Sequence, residues 1–393
     1  MPDSDQVSIV GPALWQKLAA GAWERDAALF PGAVPEGLGS LDALFEGVLR
    51  RAAGGPYSSL PPLKLYRGHS PDALHLPDPE WADYAPVRED GDLVGYLRRL
   101  AATTGEDELG FIVNHVHALD PRIHRDVCGL LDLALESLPF PSGGTTSAAF
   151  FGTYRRTQVG IHCDNMNVLV MPVLGRKSFQ VWPREVLQDH PAVVALGDGA
   201  HASKARIPGL SPDDVAHLAQ RIEVGPTDLL YIPKGMWHVA CPQDQVNASF
   251  HVVLLSREPP RPGFEQVFLR DGRARDLPAP EFSTVQPREL LAWRSAQGLL
   301  AWPPPVELPR HRTALVCVAP RSCRVATVDA GVEVVAGGRV LTVRSDQPST
   351  DGALRSILSG DPFAPETYPG LRELIDALVR TGVLAAASHG RHA

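Results

Sequence analysis

Two short stretches, far apart in the chain, hold the residue types with the most chemistry. One is the tripeptide His162-Cys163-Asp164. The other is Tyr231-Ile-Pro-Lys-Gly-Met-Trp-His238, which ends on a second histidine. Two imidazoles and one carboxylate are the ligand set of a facial-triad iron(II) site, which leaves other coordination positions open, as an oxygenase requires. An isolated His-x-Asp is common by chance. The weight comes from the Pro-x-Gly-x-Trp-His element downstream.

Side chains two apart on a β-strand point to the same face. Val159 to Met171 is rich in apolar and β-branched residues and reads as largely strand, so His162 and Asp164 face one way and Cys163 the other. Cys163 then acts as a small hydrophobe rather than a ligand. The third ligand must come from another strand. Asp228-Leu-Leu-Tyr-Ile-Pro233 reads as one, closed by a Pro-Lys-Gly turn before His238. A further strand, Lys177 to Trp182, gives Lys177 the parity of Phe179 and Val181, which belong in a core. A lysine on an apolar face is costly unless paired, and an anionic cosubstrate would pair it. The alternative is a lysine at the strand mouth that snorkels to water. Asn247 to Leu255 alternates as a last core strand, with Asn247, Ser249, His251 and Val253 on one face. His251 is a rival third ligand, but a histidine inside an apolar strand is more often a core residue with satisfied hydrogen bonds.

The run Gly160-Ile-His-Cys-Asp-Asn-Met-Asn-Val-Leu-Val-Met-Pro-Val-Leu-Gly-Arg-Lys-Ser-Phe-Gln-Val-Trp-Pro183 resembles the metal-binding core of JmjC-type oxygenases. It is most similar to the cupin-like ribosomal oxygenases and asparaginyl hydroxylases. The resemblance implies an α+β protein with a mainly β core, a double-stranded β-helix of the cupin or jelly-roll type. It implies iron(II) on His162, Asp164 and His238, with 2-oxoglutarate and O2 as cosubstrates and Lys177 on the distal carboxylate of 2-oxoglutarate. Asn247 and Ser249 carry over as contacts near the cosubstrate. Where the family places a tyrosine or asparagine at the start of the core, this chain has Ala148-Ala-Phe-Phe-Gly-Thr-Tyr154, so Thr153 and Tyr154 are the candidates. The activity implied is hydroxylation of a C–H bond of an amino-acid side chain, in a peptide or protein or in a free or carrier-bound amino acid. Two rivals stand beside it: a metal-dependent cupin isomerase or dioxygenase without 2-oxoglutarate, and a non-catalytic cupin-fold binding protein. Asp164 together with Lys177 argues against the first, and the intact triad against the second.

Composition sets the frame. A chain of 393 residues suits two or three domains, and 44% hydrophobic with 21% charged residues is an ordinary globular mix. A formal charge of −8 argues against general nucleic-acid affinity. The start of the chain lacks the basic and apolar regions of a secretory signal, and no apolar run reaches spanning length. Five scattered cysteines suggest reduced thiols and a cytoplasmic protein.

The pattern divides into four parts. Residues 1–106 are a mixed, helical N-terminal region, with helices in Pro12 to Leu49 and at Leu93 to Leu100 and an irregular, proline-rich Pro56 to Pro86. Residues 107–258 are the catalytic core, opened by a strand at Gly110 to His117 and a helix at Pro121 to Leu138. In that core a helical insert is expected at Ser211 to Glu223. His115, His117 and His124 lack a nearby acid in ligand geometry and read as structural. Residues 259–309 are a helical connector with a helix at 284–301. For this segment the resemblance implies a homodimer interface, and packing on the chain's own core is the alternative. Residues 310–393 form a winged-helix-like unit. Its strands are Ala314 to Val318, Val332 to Ala336 and Arg339 to Val343, with a Gly337-Gly338 turn. Its helices are Asp351 to Leu358 and Leu371 to Gly382. Glu373 and Asp376 on the last helix speak against DNA binding there.

Overall fold

A computed structural model describes residues 11–35, 39–54, 63–68, 73–76, 78–141, 143–196, 204–255, 294–299, 314–328, 331–343, 349–380 and 382–387. The chain forms two compact units. The first takes Met1–Ile123 and Thr146–Ser256, the second His124–Thr145 and Arg257–Ala393.

Two antiparallel sheets make the first unit. The larger runs in the order Ala28–Phe30, Leu229–Ile232, Met166–Leu174, Asn247–Leu255, Thr145–Gly152, Leu109–Asn114, Lys64–Arg67 and Ala73–His75. The smaller runs Gln220–Val224, Lys177–Trp182, Trp237–Pro242, His162–Asp164, Lys204–Arg206 and Val194–Leu196. From Thr145–Gly152 to Lys177–Trp182, and again from Gln220–Val224 to Asn247–Leu255, successive strands alternate between the two sheets, as in a double-stranded β-helix. Alternation explains the layering. Val168, Val170, Phe179, Val181, Ile232 and Val253 form one buried cluster between inner faces. Ile161, Trp182, Trp237 and Val239 form another behind the smaller sheet.

Helices flank this core at its N-terminal end: Pro12–Ala20, Leu41–Ala53 and Leu93–Thr104. Ser40 caps the second, accepting from Ala43 N–H, and Asp92 caps the third, accepting from Gly95 N–H at 2.7 Å. The third ends at Gly105, whose φ of +70° is a left-handed stop. No helix among the described residues is long and apolar enough to cross a membrane.

Three local expectations are corrected. Ser211 to Glu223 is not a helix. It holds a single 3-10 turn, Ala216–Leu218, and then the strand Gln220–Val224, which pairs with Lys177–Trp182. Pairing with a neighbour outweighs the weak helical pattern here, because it buries Ile222 and Val224 while Arg221 stays exposed. The strand expected at Gly110 to His117 stops at Asn114. His115 takes a φ of +53° and starts a 3-10 turn. Within Pro56 to Pro86, Lys64–Arg67 and Ala73–His75 are paired strands rather than irregular chain.

In the second unit, Gly331–Ala336 and Arg339–Val343 form a hairpin whose Gly337 and Gly338 have φ of +55° and +79°. Two adjacent left-handed residues are what a two-residue type I′ turn needs. Arg324–Val328 adds a third strand, and Leu315–Cys317 pairs with Leu384–Ala386. Helices Ser349–Ile357 and Arg372–Arg380 cover a core of Val334, Leu354, Ile357, Ile375 and Leu378. Asp132 is buried and accepts from the N–H groups of Arg321 and Ser322 at 3.0 and 2.8 Å. Most of the connector helix at 284–301 lies outside the described residues.

Candidate metal centre and cosubstrate pocket

Strand register assembles the triad. In the smaller sheet, His238 lies directly opposite His162 and Trp237 opposite Cys163. Opposed residues share a face, so both histidines and Asp164 point inward, while Cys163 and Trp237 point to the cluster behind the sheet. The turn before His238 is fastened to the other ligand strand. Gly235, at a φ of +83°, donates its N–H to Asp164 O at 2.7 Å. Asn167 Oδ1 accepts from Tyr231 OH and Lys234 N–H at 2.8 and 3.1 Å.

The donor atoms of His162, Asp164 and His238 all lie within 4.8 Å of one another, and all three residues are buried. His238 Nε2 is 3.9 Å from Asp164 Oδ2. Ligands held about 2.1 Å from one ion stand about 3 Å apart, so slight side-chain rotation closes the set. The tautomers also fit. His162 Nδ1 faces Gly160 O at 2.9 Å and His238 Nδ1 faces Met236 O at 3.1 Å. A carbonyl only accepts, so each Nδ1 carries a proton and Nε2 is the nitrogen left for a metal. Two imidazoles beside a carboxylate suit a divalent cation. No other such group of histidine, cysteine or acid side chains occurs among the described residues.

Lys177 stands on the same inner face, further along. It lies opposite Pro242, while His238 lies opposite Val181. Four residues separate the two rows, about 13 Å along the strand. The side chain is 1% exposed, and Nζ donates to Ser249 Oγ at 2.7 Å and Tyr154 OH at 3.1 Å. Both partners are neutral, and burial pulls the lysine pKa down to about 7. An ammonium held by hydroxyls alone is a cation lacking a counter-charge.

A cavity joins the two ends. It encloses about 570 Å³ of empty space, its open mouth included, and is lined by the triad, Lys177, Tyr154 and apolar walls such as Val168, Val170, Phe179 and Ile232. Tyr154 reaches this cavity. Thr153 is not among its lining residues: its hydroxyl accepts from Leu109 N–H at 3.0 Å. Asn247 is fully buried and donates to Gly152 O at 3.1 Å, bracing the strand end just ahead of Tyr154. Ser249 meets Lys177 and also His251 Nε2, at 3.0 Å. His251 lines the cavity against Phe150, outside the metal group. Phe150, Ile112 and Thr157 also line it and were not singled out from the sequence. Parity pointed to His251, but no sequence signal marked Thr157. His115 and His117 bond Thr146 and Ser147 through Nδ1 at 2.8 and 2.7 Å, as structural histidines do.

Fold and site together define a class. Residues 134–259 match the JmjC domain family, so this part of the chain is a JmjC domain, with the buried triad of the iron and 2-oxoglutarate oxygenases. Among solved structures, the chain is similar to YcfD, a ribosomal oxygenase from Escherichia coli. Identity is 15%, with a TM-score of 0.51 over 95% of this chain and 97% of that one. A second structure of the same protein, in complex with cobalt and 2-oxoglutarate, matches at 15% identity with a TM-score of 0.50, over 94% of this chain and 97% of that one. At this identity the likeness establishes the fold. No relative among curated protein sequences matches.

Proposed function

We propose that this protein is an iron(II)- and 2-oxoglutarate-dependent hydroxylase acting on a C–H bond of an amino-acid side chain. The observation that carries the reading is one sheet face with three metal ligands at one end and a buried, acid-free lysine at the other. YcfD, which shares the fold, has been seen with cobalt and 2-oxoglutarate. Bound iron and 2-oxoglutarate supply O2 activation and the oxidising power for an unactivated C–H bond.

The chain's own residues do the rest. His162, Asp164 and His238 would hold the metal. Lys177 binds the far carboxylate of 2-oxoglutarate through a charge-assisted bond, with Tyr154 and Ser249 as further hydrogen-bonding groups. Asn247 supports the backbone that presents Tyr154. Val168, Val170, Phe179 and Ile232 exclude water, which strengthens each polar contact and orients the target carbon.

The same reading takes in a peptide, protein or amino-acid substrate, a cytoplasmic location and the four-part division of the chain. It also takes the two helices and three-stranded sheet of the second unit as a winged-helix-like support, and the connector as a homodimer segment. Anaerobic addition of iron(II) and 2-oxoglutarate to the full chain tests the core of it. A weak visible charge-transfer band is the expected result. No band and no 2-oxoglutarate turnover in folded protein would refute it.

A further inference from the structure

Arg206 flanks the metal ligands on the side away from Lys177. In the smaller sheet, Lys177–Trp182 lies two strands to one side of His162–Asp164, and Lys204–Arg206 lies next to it on the other. The register sets Arg206 opposite His162 and Ala205 opposite Cys163. Cys163 and Ala205 pack into the cluster behind the sheet, so Arg206 turns inward with His162. Its Nε is buried without a hydrogen-bond partner.

Three other arginines of this unit pair with acids. Arg50 and Arg122 both bond Asp120, at 2.8 and 3.0 Å, and Arg99 bonds Asp90 at 2.6 Å. Among the described residues Arg206 forms no such ion pair. A phenol on the other sheet lies within reach of its charge. Tyr66 is buried on the larger sheet, opposite Gly110 in the row of Ile112, which lines the cavity. Arg206 is near enough that its charge opposes the upward push of burial on the Tyr66 hydroxyl.

We infer that Arg206, with Tyr66 across the gap, anchors the substrate by a carboxylate carried a few bonds from the C–H bond to be oxidised. The inference rests on the hydroxylase reading. A guanidinium presents a planar fork of N–H donors that matches a carboxylate bidentately, and desolvation strengthens the pair. Lys177 serves the anion of the cosubstrate, which leaves Arg206 for a second anion. Its place beside His162 keeps that anion close to the reacting carbon. Two sources fit: the α-carboxylate of a free amino acid, and an aspartate or glutamate side chain in a peptide. A carrier-bound amino acid has its α-carboxyl group tied up in the link to the carrier and offers no α-carboxylate.

The test uses the full chain with iron(II) and 2-oxoglutarate. Affinity for 2-oxoglutarate is measured first by anaerobic titration, and its absence would sink the hydroxylase reading rather than the anchor. Succinate release is then followed with the free L-amino acids, with their α-amides, and with peptides carrying aspartate or glutamate or their amide counterparts. The expected result is stimulation by one carboxylate-bearing set and loss of it in the matching amides. Stimulation by free amino acids identifies the α-carboxylate, and stimulation by acidic peptides identifies the side chain. Arg206→Gln should weaken that substrate about tenfold or more and leave 2-oxoglutarate affinity within about twofold. Acids no better than amides on the wild-type protein would overturn the anchor. So would an Arg206→Gln protein that uses the same substrate unimpaired.

Discussion

At the triad end of the cavity, the side chains are steered by backbone. Carbonyls of Gly160 and Met236 set both imidazoles, and the Gly235 N–H clamps the carbonyl of Asp164. At the lysine end, the ammonium is held by two side-chain hydroxyls rather than by backbone. The contrast fits the two tasks. A metal needs a fixed geometry, whereas a carboxylate needs a mobile donor that can exchange one acceptor for another. The ends differ in chemistry too: an acid with two imidazoles at one end, a buried lysine at the other.

The comparison breaks most easily at the metal. Asp164→Asn keeps the shape and removes the charge, so iron(II) or cobalt(II) affinity should drop about a hundredfold or more, as calorimetry would read. Lys177→Ala comes next. It should raise the 2-oxoglutarate requirement about a hundredfold with metal affinity nearly intact, and an equal fall in both affinities would show that the ends are not separable. A subtler signature is pH. Binding a carboxylate needs the ammonium form, and burial brings the ligand-free lysine to about 7. Cosubstrate affinity should therefore be flat below that pH and weaken by up to about tenfold per unit above it, in titrations where Lys177→Ala shows no such slope. The smallest effect is expected from Ser249→Ala, which removes one hydroxyl and should cost about fivefold in 2-oxoglutarate affinity. A Ser249→Ala protein as impaired as Lys177→Ala would mean that the hydroxyl, not the ammonium, is the main anchor.

The triad was legible because a strand has a period of two and the ligands sit two apart. Lys177 was legible for the same reason, since it shares parity with Phe179 and Val181. Asn247–Leu255 emerged with the bounds its alternation suggests. What stayed hidden depended on chain neighbours that sequence does not count. Thr153 and Tyr154 lie beyond the end of a strand at Gly152, so parity could not say which of them turns toward the lysine. The strand Gln220–Val224 was missed because five residues fit a helical and an alternating pattern almost equally well, and only its partner decides. Arg206 carried no motif at all. Its place follows from pairing with His162, a long-range fact.

The directly opposed positions of the two histidines have one more consequence. Slipping either strand by a single residue would throw one imidazole to the far side of the sheet. Metal uptake is thus a readout of correct folding: a misaligned chain would be an inert apoprotein. A titration with cobalt(II) during refolding would count the correctly threaded molecules directly.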